Sequence, residues 1–168
     1  ALNFIWDALK NTLPEEEYLY LLQHNDEESR ALAAEYARTV RERFYGKDVY
    51  IRGLIEISCY CRNNCYYCGI RNGNNKAERY RLAPEEIILT AEKGYALGFR
   101  TFVLQGGEDA FYTDETVEYI IKAIKKKFPD AAITLSLGER SYESYKRLKE
   151  AGADRYLLRH ETADKAHY

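Results

Sequence analysis

With 168 residues, 46% of them hydrophobic and 31% charged, the chain has the make-up of one globular domain and not of a disordered or fibrous protein. A net charge of -2 and a pI near 6.0 leave no basic surplus for nucleic acid or an anionic membrane surface. No apolar run approaches the roughly 20 residues of a membrane span, and the opening Ala1-Leu2-Asn3-Phe4 lacks the charged start of a secretory signal, so a cytoplasmic location is expected.

Residues 1–47 are expected to form a helical cap. Phe4, Ile5, Trp6 and Leu9 open it, and Pro14 stands at a first helical position ahead of Glu15, Glu16 and Glu17, whose charges suit a helix N-terminus. A longer helix is predicted from about Glu27, with Leu32, Tyr36, Val40 and Phe44 four apart, ending at Gly46. From residue 48 onward, strands and helices alternate. The first strand is predicted over Val49–Ile57, followed by a long loop holding the cysteines. A helix from Pro84 puts Ile87, Ile88, Ala91 and Tyr95 on one face and ends at Gly98. Thr101–Leu104 is the second strand, and a helix from about Asp114 carries Val117, Ile120, Ile121, Ile124 and Phe128 up to Pro129. Ala132–Leu137 is the third strand. Tyr142–Ala151 is a helix with Tyr142, Tyr145 and Leu148 three apart, and Arg155–Arg159 is the fourth strand. Such alternation predicts an α/β fold with a parallel sheet, either open and doubly wound or part of a βα barrel, and spacing does not choose between them.

Four cysteines lie within Cys59–Cys68, which suits metal binding in a reducing compartment better than a disulfide framework. Cys61, Cys65 and Cys68 have C-x3-C-x2-C spacing. Three thiolates can hold a cubane iron-sulfur cluster by three of its irons and leave the fourth open to a small molecule. Gly69 lets the backbone pass close. Cys59 offers two alternatives, a structural zinc site of four cysteines or a fully ligated electron-transfer cluster. At the end of a strand, it also suits a small buried residue.

Function in a βα barrel gathers at the C-terminal ends of the strands. The second strand runs into Gln105-Gly106-Gly107-Glu108-Asp109, where paired glycines allow close approach and Glu108 can accept from an ammonium group. Thr134 and Ser136 share one face of the third strand, and Arg159 and Glu161 share one face of the fourth. A structural ion pair is the alternative for the last two. Glu139, Arg140 and His160 stand nearby without an assigned role, and His24 and His167 are expected on the surface.

The cysteine loop with its aromatic Tyr67, the run Cys68-Gly69-Ile70-Arg71, Arg79-Tyr80-Arg81 and Leu104–Asp109 resemble the radical S-adenosylmethionine (SAM) superfamily. Within it, Thr134-Leu135-Ser136-Leu137-Gly138-Glu139 and Arg155-Tyr156-Leu157-Leu158-Arg159-His160-Glu161-Thr162 resemble the FeFe-hydrogenase maturases of the HydE group, with biotin synthase and methylornithine synthase as near relatives. The resemblance implies a TIM-type (β/α)8 barrel, of which residues 48–168 supply about four βα units, and a fragment of a longer chain, since no methionine is present. It implies a 4Fe-4S cluster on Cys61, Cys65 and Cys68 and reductive cleavage of SAM to methionine and a 5′-deoxyadenosyl radical. Tyr67 would lie near the adenine, and Gly106, Gly107 and Glu108 at the methionine amino group. Thr134, Ser136, Arg159 and Glu161 would line the SAM and substrate cavity, with Arg159 and Glu161 nearest the chemistry. An iron carbonyl cyanide precursor or a thiol compound, hydrogenase maturation proteins and an electron donor are the implied partners. Cys59 departs from the pattern, where a non-cysteine residue is expected. A half barrel is also expected to expose an apolar inner face and edge.

Overall fold

The structure, a computed structural model, describes residues 14–161 together with Asp164, so the predictions for Phe4–Leu9, Thr162 and His167 fall outside the described residues. The chain divides into two compact units, residues 1–50 and residues 51–168. In the first, α1 spans Glu15–Gln23 and α2 spans Glu27–Tyr45. Asp26 caps α2 by accepting from the Ser29 backbone N–H at 2.7 Å. The expected apolar stripe of α2 is only partly covered: Leu32 and Tyr36 are half-buried, but Phe44 is 70% exposed.

The second unit contains β1 (Gly53–Ser58), α3 (Pro84–Ala96), β2 (Thr101–Gly106), α4 (Asp114–Lys127), β3 (Ala132–Ser136), α5 (Tyr142–Glu150) and β4 (Arg155–Tyr156). Each helix begins where a polar group meets its orphan N–H groups. Glu86 accepts from the Ala83 N–H at 2.7 Å ahead of α3, Thr113 from Thr116 ahead of α4, and Ser141 from Ser144 ahead of α5. The strands are all parallel, in the order β1-β2-β3-β4. A doubly wound sheet reverses its order partway. Sequential order with right-handed crossovers instead places every helix on one face, as in a barrel wall.

That helix-facing side is the core. Ile55, Ile57, Phe102, Leu104, Ile133 and Leu135 from the strands meet Ile87, Ala91, Val117, Ile120, Ile121, Ile124 and Leu148, all nearly inaccessible. The opposite face carries two rows in register. Leu54, Val103 and Thr134 form one; Glu56, Gln105 and Ser136 form the next, nearer the C-terminal rim. Gln105 donates to Glu56 at 2.7 Å, so this face is mixed and not uniformly apolar, although Leu54 is 56% exposed.

Three expectations are corrected. Val49–Arg52 do not pair with a neighbour, and β1 starts at Gly53, opposite Phe102. The strand predicted over Arg155–Arg159 covers only Arg155 and Tyr156, with a last bond from the Leu157 N–H to the Leu135 carbonyl at 2.7 Å, and β3 ends at Ser136, so Arg159 and Glu161 lie beyond the pairing. Tyr142 is 76% exposed, since α5 turns Ser144 and Leu148 inward.

Candidate functional site

The cysteine loop leaves the C-terminal end of β1 and is braced by its own backbone. Cys68 N–H donates to the Cys65 carbonyl at 3.0 Å, Asn72 N–H to the Asn63 carbonyl at 2.8 Å, and Gly73 N–H to Asn64 Oδ1 at 2.9 Å. Cys61 and Cys68 are half-buried and Cys65 is exposed, all as free thiols. Among the described residues no three His, Cys, Asp or Glu side chains close to the spacing of a single metal ion. A cubane cluster asks for something wider, since each thiolate meets a different iron.

The loop packs on the turn after β2. Arg62 N–H donates to the Glu108 carbonyl at 3.0 Å, and Glu108 N–H points at Cys61 Sγ at 3.4 Å. Gly107 is required by this contact: a Cβ there would overlap the Tyr60 carbonyl oxygen and come 2.6 Å from Cys61 Cβ. Its glycine therefore serves the loop's own backbone, a reason that the repeated glycines alone do not reveal. A Cβ on Gly106 would make ordinary contacts, 3.4 Å at nearest.

The Glu108 carboxylate, 14% exposed, is bonded by Arg62 Nε at 2.8 Å and Nη2 at 2.7 Å, and by the Glu139 N–H at 3.1 Å. Gly138, at φ +75°, leaves the space that the Glu108 stem fills. Arg62 is itself 71% exposed, so a ligand ammonium group can take its place on Glu108 at small cost. Beside it, Asp109 is almost sealed, with 3% of its side chain exposed, and accepts from Arg81 at 2.6 and 2.9 Å, Ser58 Oγ at 2.6 Å and Phe111 N–H at 3.1 Å. Burial raises the Asp109 pKa, but these bonds outweigh it and hold the carboxyl below its ordinary value. Arg81 also lies over the Tyr60 ring at 3.9 Å. The residue before the first loop cysteine is thus tied to the turn after β2.

Tyr67 is 65% exposed on the loop. Thr134 and Ser136 are buried on the face opposite the helices, Ser136 level with Gln105. Arg159 is exposed and reaches Gln105 Oε1 at 3.5 Å; Glu161 is exposed. Cys59 lies against the arm of residues 78–80. It is 6% exposed, its Sγ accepts from the Tyr80 N–H at 2.9 Å and donates to the Glu78 carbonyl at 2.9 Å. That placement engages its sulfur with the arm of residues 78–80 and leaves Cys61, Cys65 and Cys68 on the loop. The pairings of Arg62 with Glu108 and of Arg81 with Asp109 are not evident from the sequence, because each partner lies far along the chain; Glu56 is signalled only by its alternation with Ile55 and Ile57.

No described helix is long and apolar enough to cross a membrane. A family model, the radical SAM superfamily, matches residues 55–168. The "[FeFe] hydrogenase maturase subunit HydE" of Thermotoga maritima is 47% identical over 143 residues, which is 85% of this chain and 40% of that protein. The crystal structure of methylornithine synthase (PylB) superposes with a TM-score of 0.84 at 26% identity, over 97% of this chain and 49% of that one. HydG, a maturase of the [FeFe]-hydrogenase, superposes at 0.83 with 29% identity, over 98% of this chain and 38% of that one. The chain thus spans less than half the length of each of these relatives. Their likeness selects the barrel over the open sheet, with part of the barrel present here.

Proposed function

Because the chain belongs to the radical SAM superfamily, whose members use a 4Fe-4S cluster and S-adenosylmethionine, we propose that it is the radical-initiating part of a HydE-like enzyme of FeFe-hydrogenase maturation. The observation that carries this reading is the packing of the cysteine loop on Gly107 and Glu108. It puts three thiols and a carboxylate at one rim of a parallel sheet. The donor set fits the group: Cys61, Cys65 and Cys68 would hold the cluster, with the Glu108 N–H supporting the Cys61 sulfur. When bound, the cluster supplies the electron that splits SAM into methionine and a 5′-deoxyadenosyl radical.

The protein's own residues bind and orient. Glu108 would receive the methionine ammonium, exchanging Arg62 for it, with the backbone of Gly106 and Gly107 beside it and Gly107 a glycine because Tyr60 and Cys61 fill the space of its side chain. Tyr67 would cover the adenine. Thr134, Ser136, Arg159 and Glu161 would line the cavity, with the Arg159 guanidinium suited to a carboxylate and Glu161 to the ribose or sulfonium side. The identity with HydE supports an iron carbonyl cyanide precursor or a thiol compound as substrate, with hydrogenase maturation proteins and a cytoplasmic electron donor as partners. The superposition on methylornithine synthase favours a second reading, the same radical start applied to a methylornithine-synthase-like or biotin-synthase-like substrate.

Anaerobic reconstitution of the full-length protein tests the proposal. The reduced cluster should give an EPR signal that changes when SAM is added, and dithionite should release 5′-deoxyadenosine. An unchanged signal, or one zinc per chain in place of iron, would overturn it.

A further inference from the structure

Irregular loops leave backbone carbonyls that neither a helix nor a strand satisfies, and each needs a donor from elsewhere. In the cysteine loop four carbonyls converge on one side chain, of which those of Arg71 and Asn74 also accept from the N–H groups of Asn74 and Ala77. Arg79 Nη1 donates to the carbonyl oxygens of Cys59 and of Ile70, the latter at 2.8 Å. Its Nη2 donates to the carbonyls of Arg71 at 2.7 Å and Asn74 at 3.2 Å. Cys59 precedes the first loop thiol, and residues 70–74 come after the last. A single cation therefore ties together the two ends of the segment from which Cys61, Cys65 and Cys68 all project.

The arm that carries Arg79 is itself fixed. Residues 78–82 run antiparallel to the end of β1: Cys59 N–H donates to the Tyr80 carbonyl at 3.2 Å, Leu82 N–H to the Ile57 carbonyl at 2.9 Å, and Ser58 bridges Arg81. The buried Cys59 thiol completes the joint with its bonds to Tyr80 N–H and Glu78 O. A planar guanidinium can address carbonyls on two sides at once with charge-assisted bonds, whereas an ammonium offers three donors from one point.

We propose that Arg79 is the positioning residue of the cysteine loop, closing it around the three thiols before any cluster is bound, with Cys59 holding the arm that presents it. Naming the cluster as the beneficiary rests on the radical SAM reading; the closing of the loop does not.

Hydrogen exchange on the cluster-free full-length protein separates the two. In an R79Q variant, the amides of Asn72, Gly73 and neighbouring loop residues should exchange at least about tenfold faster, as expected when charge-assisted bonds are lost, while amides of β1–β3 keep their protection. After reconstitution, R79Q should lose its iron to a chelator at least about tenfold faster than the unaltered protein, as for a missing supporting shell. R79K should fall between the two in both measurements. Loop exchange and chelator loss within twofold of the unaltered protein would overturn the proposal, with twofold as a rough experimental margin. Loss of protection throughout the sheet would overturn it as well, because Arg79 would then be holding strands and not a loop. If the unaltered protein shows no SAM-dependent EPR change, the radical SAM reading fails while the exchange result still decides the role of Arg79.

Discussion

The rim of the sheet is built in two different ways at its two sides. Where β1 and β2 end, the cysteine loop is stitched to the next turn through Ser58, Tyr60, Arg62, Arg81, Glu108 and Asp109, with the Asp109 carboxylate almost sealed from water. Where β4 ends, Arg159 has one long bond to Gln105 and stands exposed along with Glu161. The start of β4 is anchored, since Asp154 accepts from the Ile133 N–H and pairs with Lys125. Beyond Tyr156 the chain is no longer strand. Rigid donors suit a cluster that must stay in place through many turnovers, and exposed side chains suit groups that close on a ligand as it arrives. Mutations of Ser58, Arg81 and Asp109 at the first side should therefore act on folding and cluster content, and those of Arg159 and Glu161 at the second on ligand affinity.

The largest effect should come from the loop thiols. Cys68→Ser should abolish cluster retention and lower 5′-deoxyadenosine release by more than the roughly 100-fold that losing a supporting shell costs. Iron content and product assay in the full-length protein check this. Retention of a full iron complement would mean that the loop is not the ligand set.

Next in size is Asp109→Asn, which leaves Arg81 facing a neutral amide. Removing one partner of a buried ion pair costs about 3–5 kcal/mol, and Arg81 is 38% exposed, so a loss of about 2 kcal/mol is expected in denaturant unfolding. The pH dependence has a definite sign. The depressed pKa of folded Asp109 means that its contribution is complete above the ordinary carboxylate value of about 3.9 and disappears as pH falls through the lower folded value. Asp109→Asn should therefore flatten that part of the acid limb. An unchanged limb would show that the pair contributes nothing to folding.

At the other side, Arg159→Ala should leave stability within about 0.5 kcal/mol, as for an exposed residue with one long bond. It should instead raise the KM for SAM by about tenfold, the worth of one charge-assisted bond. A fall in stability matching that of Asp109→Asn would erase the difference between the two sides.

How far the sequence discloses these contacts depends on the range of the interaction. The helices α3 and α4 are legible because Ile87, Ile88 and Ala91, or Val117, Ile120, Ile121 and Ile124, repeat at helical spacing against strands rich in β-branched residues. Val49–Arg52 misleads because a β-branched and aromatic run records strand propensity and not whether a partner strand is there; the strand begins only where Phe102 stands opposite. The cysteines and Gly107-Glu108 are legible as local motifs. The reason for Gly107 is not, since the space it leaves is filled by Tyr60 and Cys61 from another part of the chain. The same holds for Arg62 on Glu108 and Arg81 on Asp109, 46 and 28 residues apart, where a lone arginine carries no periodic signal of its partner.

Cys59 gives the smallest effect and the sharpest check on the boundary of the ligand set. By spacing it is a fourth candidate, yet its sulfur is buried between Glu78 and Tyr80, accepting one bond and donating another. A serine hydroxyl can also donate once and accept once, but its shorter C–O bond draws it back from both partners. Cys59→Ser should thus cost about 1 kcal/mol of stability, in the range of a weakened buried hydrogen bond, and leave iron per chain and the EPR signal as in the unaltered protein. If iron falls as it does for Cys68→Ser, Cys59 is a ligand. The arm from Glu78 to Tyr80 would then have to release its sulfur when the cluster binds.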